Sequence, residues 1–146
     1  MNTAMSVRAR DSGWAAAAAP QDDSTSISQA FRILHVGFTV APVVAGVDKF
    51  FHVLTNWDKY LPDAVNRLAG GHGHTLMLAV GVIEVAAGLG VAWKPRIFSY
   101  VVAAWLWVII ANLLLVHGYD DVALRDFGLS LGALALGRLS AGRHQR

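Results

Sequence analysis

Residues 71–93 read GHGHTLMLAVGVIEVAAGLGVAW. From His74 onward the stretch holds about 20 apolar or small residues, the length an α-helix needs to cross ~30 Å of hydrocarbon. A single carboxylate interrupts it, Glu84, near the centre. An ionisable side chain at that depth is costly unless it faces protein or water. Other residues of the chain must therefore meet it.

The composition gives that segment company. Of 146 residues, 55% are hydrophobic and 15% charged, against about 25% charged in soluble domains. One domain of an all-α membrane protein is the class that fits. The net charge is +2 and the pI near 9.3, but the basic residues lie scattered at segment ends, so no nucleic-acid footprint forms. There are no cysteines, which excludes disulfides, thiolate metal sites and membrane thiol oxidases that relay electrons through a cysteine pair.

Outward from this helix, four apolar runs appear, at about residues 31–52, 74–93, 97–116 and 122–139. Together they predict an up-down four-helix transmembrane bundle over residues 30–140. Residues 1–29 mix charges, alanines and a Ser/Thr cluster, and read as a disordered N-terminal tail. Ser28 is the expected N-cap of the first span, and Pro42 the expected kink within it. The five alanines at 15–19, ended by Pro20, are too weakly apolar for a signal-peptide core. Trp57 and Tyr60 in the polar loop at 55–71 read as interfacial anchors beside a short surface helix around 63–68. Lys94, Pro95 and Arg96 make a tight hairpin turn, and residues 141–146 form a basic C-terminal tail.

Four spans put both termini on one side. Arg8, Arg10, Arg32, Lys94, Arg96, Arg138, Arg143 and Arg146 share that side, whereas Lys49, Lys59, Arg67 and Arg125 take the other. Eight against four predicts a cell-membrane protein with cytoplasmic N and C termini.

On this layout nearly all ionisable residues within the membrane fall in the outer half. Asp48, Lys49 and His52 close the first helix, His72 and His74 open the second, His117 closes the third, and Arg125 and Asp126 open the fourth. Glu84 lies roughly 15 Å below the outer end of its helix at 1.5 Å per residue. Asn112 is the one strongly polar side chain inside the third span. Two roles suit such a set. The charges either pair to fix helix register, with Lys49 or Arg125 neutralising Glu84 and Asp48, or they line a pocket that binds a head group or passes protons. Gly81, Glu84 and Gly88 share a stripe, as do Asp126, Ser130, Ala133 and Gly137, and such small-residue seams admit close helix approach.

The histidines carry less. His72 and His74 stand two apart and do not share a helical face, so no metal site is expected from them. His74 and His117 sit at helix ends and offer a pair of axial haem ligands, but no second pair or attachment motif accompanies them, and haem b is disfavoured. His35 in the inner half reads as a satisfied polar residue.

Two motifs resemble the DoxX-like family of small four-helix membrane proteins, whose relatives include a membrane subunit of thiosulfate:quinone oxidoreductase. The first helix has Arg32, then Gly37 and Phe38, then Gly46-Val47-Asp48-Lys49-Phe50, similar to the family's arginine, glycine and G-x-x-K pattern. The second has Gly81-Val82-Ile83-Glu84-Val85 followed by Gly88 and Gly90, similar to its G-x-x-E and following glycines. Lys49 and Glu84 carry over as family-type residues. The resemblance implies an accessory membrane subunit of a quinone-linked redox complex, with lipid and redox subunits as partners. A quinone is the cofactor it suggests, bound at the outer-half polar pocket. No side chain is itself a redox centre, so catalysis is left open, as is self-association. The alternatives are a structural or assembly protein and a small transporter with Glu84 as its proton site.

Overall fold

The computed structural model describes residues 23–116 and 118–143, and among these all regular structure is helical. Five α-helices follow in order: α1 Asp23–Phe51, α2 Asp63–Leu68, α3 Gly73–Trp93, α4 Pro95–Leu115 and α5 Asp120–Arg143, with a 3₁₀ turn at Trp57–Tyr60 between α1 and α2. The expected tail is partly corrected. Helix α1 already includes Asp23 to Gln29, ahead of the expected start after Ser28, because extending an established helix adds one hydrogen bond for each residue fixed. Residues 1–22 lie outside the described residues. Pro42 sits within α1 without interrupting its assignment.

Lys94 alone separates α3 from α4. Its N–H donates to the Gly90 carbonyl at 2.8 Å, closing α3, and Pro95 starts α4 at the position where a missing N–H costs nothing.

Two tight seams build the bundle. Helix α1 runs antiparallel to α3, with Gly46 backed onto Gly81 and Val85, Gly88 onto Thr39 and Val43, and the His35 Nε2 3.0 Å from the Val91 carbonyl. Helix α5 runs antiparallel to α4, with Gly137 against Ser99 and Tyr100, and Ala123 clustered with Ile110 and Leu113. Phe38 reaches Gly132 and ties α1 to α5. The main core gathers at this crossing, from Phe38, Ala87, Val91, Val102, Ala103, Ala133 and Leu136.

Among the described residues, three helices are long and apolar enough to cross a membrane: α1, α3 and α4. Large apolar side chains cover their outer faces, with Ile33 72%, Leu89 57% and Val108 58% exposed, far more contiguous apolar surface than a water-facing domain shows. Helix α5 is of similar length, but Val122 to Leu139 includes Arg125, Asp126 and Arg138.

Candidate functional site

Glu84 has its partner. The Lys49 Nζ donates to Glu84 Oε2 at 2.5 Å, joining α1 to α3 across 35 residues of sequence. The pair is sealed, with side chains 3% and 10% exposed. Local sequence makes that contact possible, because Gly46 and Gly81 lie one turn from Lys49 and Glu84, and a Cβ on Gly46 would come within 2.5 Å of the Gly81 carbonyl oxygen. Small residues of this kind let two helix backbones approach closely, which brings the lysine against its carboxylate.

A second ligand of the ammonium comes from the loop. Lys49 Nζ lies 3.8 Å from the centroid of the Trp57 ring, a cation–π contact that is strengthened by the absence of water. Asp48 sets the ring there. Its carboxylate accepts from the N–H groups of Val53 at 2.9 Å and Leu54 at 3.0 Å, and from the Trp57 indole N–H at 2.7 Å. The chain reverses at His52, whose φ of 53° lies in the left-handed region, a conformation that histidine adopts more readily than most residues with a Cβ. Asn112 pins the far end of the loop, donating from Nδ2 to the Tyr60 carbonyl at 2.8 Å. Asp48, Asn112 and the α3 end thus hold one loop as a roof over the ion pair.

The rest of the predicted set divides. Asp126 is half-buried on α5 and within electrostatic range of both Glu84 and Lys49. Arg125 is not: its Nη2 pairs with Asp121 at 3.9 Å on the exposed face, so of the two expected partners Lys49, not Arg125, neutralises Glu84. One residue of helix turns a side chain by about 100°, and of these two neighbours only Asp126 faces the bundle. His52 and His74 stack with ring centroids 5.7 Å apart, and His74 Nδ1 lies 3.0 Å from Asp58 Oδ2. His72 turns away, with Nδ1 on the Ala69 carbonyl at 3.2 Å. His117 lies outside the described residues, and with it the His74 and His117 haem pairing.

Sequence reasoning missed Trp57 as a partner of Lys49, Asp58 as a partner of His74, and Trp105. The Trp105 indole interacts with Glu84, yet its buried Nε1 falls short of full hydrogen-bond geometry. Around Lys49 and Glu84 the polar groups pack on one another, and two grooves lie at the opposite end of the bundle. One is lined by Arg96, Ile97, Tyr100, Val101, Ala104 and Ala141, the other by Phe31, Trp93 and residues 94–97 with Ser140. Comparisons with models of protein families, with curated proteins and with solved structures find no match.

Proposed function

We propose that the chain is a multi-pass membrane protein of the DoxX-like kind, a four-span up-down bundle in which α5 joins the three apolar helices, serving as an accessory subunit of a quinone-linked redox complex. One observation carries the reading. The lysine of the G-x-x-K motif and the glutamate of the G-x-x-E motif, far apart in sequence, form a single buried contact. The sealed pair is then the element that registers α1 against α3, and the quinone binds elsewhere. A quinone head needs hydrogen-bond donors at the edge of an apolar wall, and the groove at the start of α4 supplies Arg96 and Tyr100 beside Ile97, Val101 and Ala104. Electrons come from a partner, since the chain holds no redox side-chain pair.

The test uses a photoreactive quinone analogue on native membranes, together with the quinone-linked activity of those membranes. Crosslinks within residues 96–104, and activity that falls in the Arg96→Ala and Tyr100→Phe variants, are the expected result. Activity indifferent to removal of the chain, or robust quinone reduction by the isolated chain, would overturn the reading.

A second reading rests on the burial of the pair. A carboxylate and an ammonium this enclosed suit a non-catalytic assembly protein whose charges do no more than fix register. Undiminished complex activity with lowered complex abundance in Glu84→Gln membranes would favour it.

A further inference from the structure

The end of α1, the 3₁₀ turn and the start of α3 bring together three side chains that the sequence keeps apart. One ring nitrogen of His52, one of His74 and one carboxylate oxygen of Asp58 all lie within 4.8 Å of one another. We propose that His52, Asp58 and His74 form a binding site for a divalent transition metal of the zinc class.

The donor set suits that ion. Two imidazoles and a carboxylate, in a chain without thiols, are the ligands of three-coordinate protein sites that leave a fourth position to water or an exogenous group. Calcium and magnesium are disfavoured, since they take oxygen ligands and several of them. Tetrahedral bonds of about 2.0–2.1 Å place ligand atoms roughly 3.3 Å apart. The His74 to Asp58 distance of 3.0 Å is already near that value, and small rotations of exposed or half-buried side chains bring in His52.

Two further features fit a ligand. Asp58 Oδ1 is buried and has no hydrogen-bond partner among the described residues, so the carboxylate retains unused acceptor capacity next to the imidazoles. His52 holds its left-handed backbone at a helix end where glycine is the ordinary choice, and that conformation is what turns its ring onto His74. A hydrogen-bonded His74–Asp58 pair needs neither feature. The helix periodicity that separates His72 from His74 says nothing of this site, because its second histidine comes from α1.

Bound metal would join residues 52, 58 and 74, fastening the roof loop at both ends. The site is independent of the redox reading and tested without it. The full chain is purified in detergent, stripped with chelator and titrated with Co²⁺ alone, read by its visible absorption, then with Zn²⁺ by calorimetry. The expected result is saturable binding of one ion per chain, with affinity weakened on the order of 10-fold or more in His74→Ala, Asp58→Asn and His52→Asn. Asparagine keeps the left-handed backbone accessible at position 52, and His74, with its side chain 57% exposed, can be truncated without opening the core. His72→Ala should bind as the parent does. Absence of saturable binding, parental affinity in the three ligand variants, or an equal loss in His72→Ala would each overturn the site.

Discussion

The two seams of the bundle are built from different materials. Between α1 and α3 the backbones nearly touch at Gly46, Gly81 and Gly88, and the space so gained is given to an ion pair. Between α4 and α5 the contact is made by Ala133, Leu136, Val102 and Ala103, and the polar groups there satisfy their own helices: Ser130 Oγ donates to the Phe127 carbonyl at 2.7 Å and Ser140 Oγ to the Leu136 carbonyl at 2.7 Å. One seam depends on partners and the other on fit. Substitutions should therefore fail abruptly in the first and gradually in the second.

The largest effect is expected at the ion pair. Glu84→Gln leaves an ammonium without its counter-charge in a site of 3% exposure, and breaking a buried pair costs about 3–5 kcal/mol. Lys49→Met should cost a similar amount by orphaning Glu84. The double variant should recover much of the loss, since no lone charge remains. Reversible unfolding in mixed micelles reads all three, and simple additivity would show that the two residues are energetically independent.

Next comes the glycine seam. A Cβ at Gly46 would press the Gly81 carbonyl oxygen at 2.5 Å and at Gly81 the Gly46 carbonyl oxygen at 2.7 Å, and neither backbone atom can step aside. Gly46→Ala should cost about 1–3 kcal/mol as an overpacked contact and should weaken the cation–π contact, visible as a shift in Trp57 fluorescence in a chain whose other tryptophans are replaced by phenylalanine. Gly137→Ala in the other seam meets side-chain atoms rather than backbone, Ser99 Oγ at 2.8 Å and the Tyr100 ring at 2.9 Å, and a side chain can yield. A loss there as large as at Gly46 would erase the contrast between the seams.

The smallest effect belongs to the pair at the surface. Arg125 and Asp121 are 70% and 78% exposed, and an exposed i,i+4 pair contributes about 0.3–0.5 kcal/mol. Arg125→Ala should leave the melting midpoint almost unchanged. A drop comparable with Glu84→Gln would place Arg125 back in the bundle interior.

These contrasts also mark what the sequence makes legible. Apolar length locates α3 and α4 to within two residues at either end, and the depth of Glu84 announces a buried partner. Choosing Lys49 over Arg125 requires the rotational phase of α5, which a run of mostly apolar residues leaves undetermined. The α1 stretch from Asp23 to Gln29 escapes because, Ile27 apart, it is polar and carries no periodic signal. Trp57 and Asp58 escape for another reason: their positions depend on Asp48 folding the chain back through Val53 and Leu54, a reversal made by one side chain. Residues read as interfacial anchors thus become a roof.

The distance in sequence between Lys49 and Glu84 bears on how the protein enters a bilayer. Each charge belongs to a different apolar segment, and an ionisable side chain left alone against hydrocarbon is costly. Neither segment reaches its lowest energy until the other is beside it. The group that relieves Lys49 lies 35 residues further along the chain, on α3. The ion pair that fixes their register therefore makes the settling of α1 depend on the arrival of α3.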